Sequence, residues 1–308
     1  MPVLRSAFIA LSRNRSLRRF SESSRVGQRL SGRFVAGTEI DEAIAVTRSL
    51  NRLGIGATVD SLGESVTSDV EAHRAAEIYH RVLDWIGTEK SNTHISVKLT
   101  QMGLNLNPEL AETIAQDLVR HAHSVGSFVR IDMEDSSLTQ ITLDIVRRIH
   151  ARADLRGSVG VVIQAYLYRS QSDIEQLVTE AIPVRLCKGA YNEPAEVAFP
   201  RKSDVDANYR KLSQILLDSQ IYNALATHDE SLVEYIKSYV KRRGIGSDRF
   251  EFQMLYGVRR GLQRQLAQEG YNVRVYVPFG RDWYPYFMRR LAERPANAFF
   301  LARNLLRS

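Results

Sequence analysis

The sequence contains very little cysteine and no long apolar run. Cys187 is the single cysteine among 308 residues. It therefore cannot form a disulfide or a cysteine-based metal site within the chain, which fits a reducing compartment. No apolar run approaches the roughly 18 residues that a membrane-spanning helix needs. These absences argue against a disulfide-rich secreted protein and a helical membrane protein, and we expect a cytoplasmic one.

Several catalytic signatures are also missing. The chain has no HExxH zinc pattern, no phosphate-binding P-loop and no Gly-x-Ser-x-Gly nucleophile elbow. Nothing beside Cys187 forms a cysteine–histidine nucleophile pair, so we expect Cys187 to be structural. We expect no metal ligands. A site without a protein nucleophile or a metal favours a bound organic cofactor for the difficult chemistry.

The net charge of +7 favours anionic partners, but the basic residues are spread along the chain and do not indicate nucleic acid. The first 33 residues are rich in arginine and poor in acids, without the apolar core of a signal peptide. This segment is either a helical arm with a solvated basic face or a basic amphipathic arm that touches a membrane surface.

Strand-like and helix-like segments alternate through the rest of the chain. After a helix over 41–53 we predict eight strand–helix units, with strands at 54–61, 94–100, 128–132, 157–166, 183–188, 222–228, 249–255 and 272–278. This alternation predicts an α/β fold, a (β/α)₈ TIM-like barrel over 54–308 with an N-terminal helical arm over 1–53. A doubly wound sheet is the competitor, but no glycine-rich dinucleotide turn follows the first strand.

Polar side chains occur at the ends of most predicted strands, where such barrels place their working residues. Lys98 is the unusual one, because it lies within an otherwise apolar predicted strand and would point into the barrel. It either pairs with Asp132 on the next strand or forms a Schiff base with a substrate. Arg185, Lys188 and the Gly189-Ala190 turn suit an anionic cofactor, and His228 is either a satisfied core residue or a ligand.

The last predicted helix, 284–293, places a pair of cations on one face. Tyr286, Arg289, Arg290 and Glu293 lie three, four or seven residues apart. Adjacent guanidinium groups suit the capture of a small carboxylate or phosphate. The alternative is an ordinary solvated helix face with a Glu–Arg pair.

Several stretches together resemble proline dehydrogenase, and they follow that family's order between residues 54 and 297. They are Ser96-Val97-Lys98-Leu99, Ile131-Asp132-Met133-Glu134, Gln164-Ala165-Tyr166, Arg185-Leu186-Cys187-Lys188-Gly189-Ala190-Tyr191, Thr227-His228, Gln253-Met254-Leu255-Tyr256-Gly257 and Tyr286-Phe287-Met288-Arg289-Arg290-Leu291-Ala292-Glu293. The run from Arg185 to Tyr191 and the final helix are specific in combination. Cys187 departs from the family, where an aliphatic residue is common.

The resemblance implies a distorted (β/α)₈ barrel with noncovalent FAD, which oxidises L-proline to Δ1-pyrroline-5-carboxylate and reduces a membrane quinone. It also implies the roles of individual residues. Asp132 and Arg185 would be catalytic, and Arg185 would favour the anionic reduced flavin. The residues implied to bind proline are Lys98, Leu255, Tyr276, Tyr286, Arg289, Arg290 and Glu293. Those implied to hold FAD are Met133, Gln164, Arg185, Lys188, Gly189, Ala190, Thr227 and His228.

The resemblance also implies a monofunctional enzyme, because the chain is too short to include an aldehyde dehydrogenase half. Its product would pass to a separate pyrroline-5-carboxylate dehydrogenase. Tyr276 matches a position whose phenol crowds a ring hydroxyl, so we expect proline to be preferred over hydroxyproline. Peripheral contact with an anionic inner-membrane surface would fit the basic charge. The rival functions are a Schiff-base lyase or aldolase that uses Lys98 and a non-catalytic anion-binding barrel.

Overall fold

Eight strands form a closed barrel in chain order. The computed structural model describes residues 31–63 and 66–293, apart from the side chains of residues 289 and 291–293. The strands are β1 (Gly56–Ser61), β2 (Thr93–Val97), β3 (Val129–Ile131), β4 (Val159–Gln164), β5 (Val184–Cys187), β6 (Asn223–Ala226), β7 (Phe250–Leu255) and β8 (Asn272–Phe279). Every neighbouring pair is parallel, and β8 pairs with β1. The predicted (β/α)₈ barrel is confirmed.

A helix follows each strand, and one more precedes β1. These helices are α1 (Ile40–Asn51), α2 (Asp69–Glu89), α3 (Pro108–Ser124), α4 (Thr139–Ala151), α5 (Ser170–Thr179), α6 (Lys202–Asp218), α7 (Glu230–Arg243), α8 (Arg260–Gln268) and α9 (Trp283–Glu293). A short 3₁₀ turn, Ser136–Leu138, leads into α4. None of the helices in this described part is both long and apolar enough to cross a membrane.

Most predicted strands were too long, and the difference matters at Lys98. Lys98 lies one residue beyond β2, not within the strand. The Lys98 carbonyl accepts hydrogen bonds from the N–H groups of Gln101 and Met102, at 3.1 and 3.3 Å. The backbone therefore turns at Lys98 and leaves the strand ladder, while the side chain still points into the barrel.

The barrel has an apolar outer layer and a polar interior, because alternate strand residues face opposite sides. Val184 and Leu186 of β5 are fully buried in the apolar core, whereas Arg185 between them joins the polar network. Near the other end of the barrel, Arg274 pairs with Glu251 at 3.0 Å. Hydrogen bonds and charge balance therefore position the interior side chains as much as packing does.

The segments before β1 pack on the barrel and on α9. Ala43 of α1 is fully buried in the main core. Phe34 and Val35 form a second apolar cluster with Trp283 and Phe287 of α9. This cluster fixes the helix on which the predicted arginine pair lies. Residues 1–30 lie outside the described part, so the division into an arm over 1–53 and a barrel over 54–308 stays a prediction.

Candidate active site

A cavity of about 760 Å³ opens where the strands end and their following loops begin. Most of the side chains that the sequence predicts for a site line it. They are Lys98, Asp132, Met133, Gln164, Arg185, Lys188, Gly189, Ala190, Thr227, His228, Leu255, Tyr276, Tyr286 and Arg290. The side chains of Arg289 and Glu293 lie outside the described part of the chain. Residues from seven strand ends and the last helix thus meet in one place.

Lys98, Asp132 and Tyr276 form the polar centre of this cavity. The Lys98 ammonium lies 3.4 Å from Asp132 Oδ2, which is the pair predicted from the sequence. The Tyr276 hydroxyl donates to the same Asp132 oxygen at 2.8 Å and accepts from Lys98 Nζ at 3.3 Å. The three groups form a closed triangle that fixes both the ammonium and the phenol.

Asp60 lies behind this centre. The sequence places it at a strand end with the other candidate residues but gave it no binding or catalytic role. Asp60 Oδ1 lies 2.9 Å from Lys98 Nζ, closer than the predicted partner Asp132. Its side chain is fully buried, and it does not line the cavity. Its position at the end of β1 was the available signal, but the register that places β1 beside Lys98 is a tertiary property.

Arg185 approaches Asp132 from the opposite side. One of its terminal nitrogens donates to Asp132 Oδ1 at 2.9 Å and to Ser96 Oγ at 3.1 Å. Ser96 Oγ in turn donates to Asp132 Oδ1 at 2.6 Å. The guanidinium also lies over the Tyr276 ring, 5.4 Å from its centroid. Asp132 is therefore held between two cations, with each oxygen accepting at least two hydrogen bonds.

These contacts determine the charge state of the centre. Burial raises the pKa of Asp132, but the charges of Lys98 and Arg185 and its hydrogen bonds outweigh burial and lower the pKa below its ordinary value. Burial lowers the pKa of Lys98, yet Asp60 and its other neighbours hold it well above its ordinary value. Burial raises the pKa of Tyr276 well above its usual range. Asp132 is thus a carboxylate, Lys98 an ammonium and Tyr276 a neutral donor.

Gln164 links two loops along the cavity wall. Its Nε2 donates to the Glu134 carbonyl at 2.8 Å, and its Oε1 accepts from the Ala190 N–H at 3.2 Å. Glu134 accepts in turn from Thr100 Oγ1 at 2.6 Å. Gln164 therefore connects the loop after β3 to the Gly189-Ala190 turn at the cavity wall.

His228 and Thr227 are fixed by backbone hydrogen bonds after β6. His228 Nε2 accepts from the Leu255 N–H at 2.8 Å, which makes Nδ1 the protonated nitrogen of a neutral ring. Thr227 Oγ1 accepts from the Asp229 N–H at 3.1 Å. The reading of His228 as a satisfied residue is correct for Nε2, and its ring nevertheless lines the cavity.

Lys188 lies at the cavity wall in a cluster of opposite charges. Its ammonium lies 2.5 Å from Asp206 Oδ1 and 2.9 Å from Asp229 Oδ2. Lys202 contacts the same two carboxylates. We call Lys188, Lys202, Asp206 and Asp229 the charge cluster. An anionic ligand must compete with these aspartates for Lys188, which the sequence did not indicate.

The α9 face agrees with the predicted helical spacing for the described side chains. Tyr286 and Arg290 both line the cavity, and the Arg290 guanidinium lies 5.1 Å from the centroid of the Tyr286 ring. A cation and an aromatic ring therefore line the same cavity as the Lys98 centre. This arrangement suits a small anion with an apolar body.

Histidines do not assemble into a metal site in the described part of the chain, where no group of three or more potential ligands is present. The sequence does contain a His-x-His run, His121-Ala122-His123. His121 Nδ1 contacts His80 Nδ1 at 2.8 Å, whereas His123 Nδ1 contacts Ser158 Oγ at 2.8 Å. The two rings of the run thus have different partners.

Comparison with known proteins identifies several related sequences. A family model described as proline dehydrogenase matches residues 43–303. The chain is 43% identical over 307 residues to proline dehydrogenase 1 of Bacillus subtilis, which covers 99% of this chain and 100% of that protein. It is 42% identical over 281 residues to the proline dehydrogenase of Deinococcus radiodurans, with 90% of each chain covered.

A solved structure shares the fold. Proline utilization A (PutA) of Bdellovibrio bacteriovorus, inactivated by N-propargylglycine, superposes with a TM-score of 0.81 at 26% identity. The match covers 87% of this chain and 33% of PutA, so this chain corresponds to about a third of that protein. The family model and the full-length relatives together show that this chain belongs to the proline dehydrogenase family of oxidoreductases.

Proposed function

We propose that this protein oxidises L-proline to Δ1-pyrroline-5-carboxylate with noncovalently bound FAD, which accepts a hydride from the ring carbon beside nitrogen and passes the electrons to a membrane quinone. The observation that carries the proposal is that the Lys98–Asp132–Tyr276 centre and Arg290 line one cavity. Family membership supplies the reaction class. The chain's own residues supply the binding and the electrostatics.

The residues of the cavity fit a flavin nucleotide in size and chemistry. A volume of about 760 Å³ lies within the range of cavities that hold cofactor-sized ligands. Arg185 Nε is buried and has no hydrogen-bond partner among the described residues, so it is a donor that a ligand could satisfy. Met133, Gln164, Arg185, Lys188, the Gly189-Ala190 turn, Thr227 and His228 would hold the cofactor, all on the cavity wall.

The substrate would bind between α9 and the Lys98 centre. Arg290 and its neighbour Arg289 would hold the proline carboxylate, with Lys98 as a third cation and Glu293 orienting the arginines. Tyr276, Tyr286 and Leu255 would enclose the apolar part of the proline ring. Positive charge on two sides and aromatic walls orient the ring carbon that gives up the hydride.

Asp132 and Arg185 would organise the electrostatics around the reacting atoms. Asp132 keeps its negative charge because Lys98 and Arg185 surround it, so it can stabilise the cationic ring nitrogen that develops as hydride leaves. Arg185 would place a fixed positive charge beside the reduced cofactor, where negative charge accumulates. Neither residue needs to transfer a proton for these effects.

The Schiff-base alternative is disfavoured by the contacts of Lys98. A lysine nucleophile needs a depressed pKa to attack a carbonyl as the free amine. Lys98 contacts two carboxylates, and its pKa lies well above the ordinary value. A barrel that only binds anions is the remaining rival, and it predicts ligand binding without turnover.

The proposal is tested by recording the absorbance spectrum of the purified protein before and after L-proline is added under anaerobic conditions. We expect flavin bands near about 450 nm that bleach when proline is added. Arg290→Ala should require at least about tenfold more proline for the same bleach, because one carboxylate contact is lost. Arg242→Ala on α7 is a matched control, since it removes an exposed arginine that does not line the cavity.

A protein that stays colourless and inactive after reconstitution with FAD would contradict the proposal. Borohydride trapping of substrate on Lys98 would then favour the lyase. Flavin that binds but does not bleach with proline would favour a different substrate. The proposal extends to a separate pyrroline-5-carboxylate dehydrogenase as the consumer of the product, and to peripheral contact with a quinone-bearing inner membrane from the cytoplasmic side.

A further inference from the structure

The Lys98 ammonium has three acceptors, one for each of its protons. They are Asp60 Oδ1 at 2.9 Å, the Tyr276 hydroxyl at 3.3 Å and Asp132 Oδ2 at 3.4 Å. A substrate carboxylate can contact Lys98 only if one of these acceptors gives way. The acceptor that remains bound to Lys98 then determines the position and charge of the ammonium group when the substrate binds.

The three contacts differ in length and in accessibility. The Asp60 contact has the length of an ordinary charged hydrogen bond, whereas the other two exceed the usual range of about 2.7–3.2 Å. Asp60 is fully buried and does not line the cavity. Asp132 and Tyr276 both line it and hydrogen-bond to each other at 2.8 Å. A ligand in the cavity could therefore replace the two long contacts but cannot reach Asp60.

Asp60 lies on β1 itself, with Tyr79 and Gln101 behind it. The hydroxyl of the fully buried Tyr79 lies 3.4 Å from Asp60 Oδ1 and 3.2 Å from Gln101 Oε1. Gln101 Nε2 donates to the Ser61 carbonyl at 3.0 Å, which ties this layer to the end of β1. The carboxylate behind Lys98 is therefore held by the barrel wall and not by a loop.

We propose that Asp60 is a positioning residue that anchors the Lys98 ammonium, so that its contacts with Asp132 and Tyr276 can be exchanged for the substrate carboxylate while the lysine stays charged. This inference rests on the proposed function for the identity of the ligand. The anchor itself depends only on the Asp60–Lys98 pair. Without Asp60, Lys98 would keep one distant carboxylate partner in a buried site and would lose its proton more easily.

The charged and titratable groups that surround Lys98 come from several elements. They are Asp60 of β1, Tyr79 of α2, Asp132 after β3, Arg185 of β5, Tyr276 of β8 and Arg290 of α9. Asp60 and Asp132 are the two carboxyl groups among them. Burial and the nearby Asp132 raise the pKa of Asp60, whereas the charge and hydrogen bond of Lys98 oppose that rise. Burial opposes the charge on Lys98, and Asp60, the nearer of the two carboxyl groups, is the neighbour that raises its pKa most.

The experiment is an NMR pH titration of the FAD-loaded protein labelled with ¹³Cε-lysine. The chain has seven lysines, so the signals can be resolved, and the signal missing in Lys98→Arg identifies Lys98. In the wild type we expect Lys98 to stay an ammonium beyond the pH at which the exposed lysines titrate, because nearby acceptors hold its pKa well above the ordinary value. In Asp60→Asn we expect its titration at least about one pH unit lower, because one carboxylate is neutralised without a change of shape. Asp60→Glu should restore the wild-type behaviour.

Binding of cyclopentanecarboxylate, measured by calorimetry as a function of pH, gives a second readout. This carboxylate has a five-membered ring but no nitrogen to oxidise, so no turnover interferes. A carboxylate loses affinity when Lys98 loses its proton. The alkaline loss of affinity should therefore begin at least about one pH unit lower in Asp60→Asn than in the wild type. At pH 6, where Lys98 is charged in both proteins, their affinities should be similar.

An unchanged Lys98 titration in folded Asp60→Asn would overturn the anchor. If Asp60→Asn does not fold, the titration of the wild type still tests the proposal. A Lys98 signal that titrates at the same pH as the surface lysines, or at a lower pH, would contradict it. Failure of the wild type to bind cyclopentanecarboxylate at any pH would instead count against the proposed substrate site. The NMR titration would still report on the anchor in that case.

Discussion

Tyr276 is the residue through which most of the site's contacts pass. Its hydroxyl contacts Asp132 and Lys98, its ring lies under Arg185, and its edge lines the cavity. A single phenol thus joins the anion, the cations and the space for the substrate. Tyr276 contributes to the site in two ways, through the hydrogen bonds of its hydroxyl and through the bulk of its ring. A conservative substitution can separate the two effects.

Tyr276→Phe removes the hydroxyl but keeps the ring. We expect kcat/KM for L-proline to fall by about tenfold, because Asp132 and Lys98 each lose a partner. The preference for proline over 4-hydroxyproline should also fall, because the wall loses the oxygen that would crowd the ring hydroxyl. Steady-state kinetics with both substrates measures this. Tyr222→Phe is the control, since Tyr222 also contacts a carboxylate, Glu251, but does not line the cavity. An unchanged ratio in Tyr276→Phe would contradict the steric role.

At the scale of elements, the loop between β5 and α6 is the most closely tied of the segments around the cavity. Glu193 in this loop accepts from Ser136 N–H at 2.7 Å and from its hydroxyl at 2.5 Å. Phe199 N–H donates to the Tyr166 carbonyl at 2.8 Å. The loop between β5 and α6 is therefore held against the loops after β3 and β4.

Gly189→Ala tests the start of this loop. Gly189 has φ of +129°, and a Cβ there would lie 1.5 Å from the Tyr166 ring. The substitution should lower the free energy of unfolding by more than about 1 kcal/mol and weaken FAD retention, because the turn must shift. Gly261→Ala in α8 is the control and should be neutral or slightly stabilising, since it meets no atom within 4 Å. Urea unfolding and the flavin-to-protein absorbance ratio measure both effects. Full FAD retention in Gly189→Ala would argue against a role for the turn in cofactor binding.

Asn107 begins α3 and tests helix capping away from the site. Its side-chain oxygen accepts from the Glu109 N–H at 2.9 Å, and Pro108 occupies the first helical position. Asn107→Ala should destabilise the protein by about 1 kcal/mol, whereas Asn107→Asp should keep the acceptor and most of the stability. Chemical denaturation with both variants checks the difference. Equal stability of the two would show that the cap contributes little here.

At the scale of the whole molecule, the charge cluster connects three parts of the barrel. Lys188 follows β5, Lys202 and Asp206 belong to α6, and Asp229 caps α7. Burial raises the pKa of Asp229, but hydrogen bonds from Lys188 and Ser231 outweigh it and hold the pKa well below its ordinary value. The pKa of Asp206 is lowered in the same way by the two lysines, which also outweigh its burial.

This cluster makes stability depend on pH at the acid end. The two aspartates bind protons less readily in the folded state than in the unfolded state, so their contribution is complete above about pH 5. It is lost as the pH falls through about 4 towards their folded pKa values. We expect the melting temperature of Asp229→Asn to be lower than wild type at pH 7 and to fall less between pH 5 and 3. Asp154→Asn, which removes an exposed pair with Arg152, should follow the wild-type curve. If the melting temperatures of the wild type and Asp229→Asn fell by the same amount between pH 5 and 3, this prediction would be contradicted.

The sequence was sufficient for the number, order and type of the barrel elements. Strand and helix periods are local properties, so the strand–helix units could be recognised from short windows. The strand ends were less certain, because the turn at Lys98 depends on hydrogen bonds to Gln101 and Met102 that no apolar pattern encodes. The resemblance to a known family identified most of the cavity wall, including Gln164 and His228, but not how their hydrogen bonds are distributed.

Pairing across the barrel was decided by the tertiary structure alone. Asp132 and Tyr276 are 144 residues apart in the chain, and Asp60 and Lys98 are 38 apart. The sequence determined that a lysine, several aspartates and a tyrosine lie at strand ends. Only the register of the strands determined that Asp60 is the nearer partner of Lys98. Only the placement of α6 and α7 around the barrel determined that Asp206 and Asp229 neutralise Lys188. The reason is physical: the period of a strand is fixed by local backbone sterics, whereas the distance between two charges depends on how all eight strands close together.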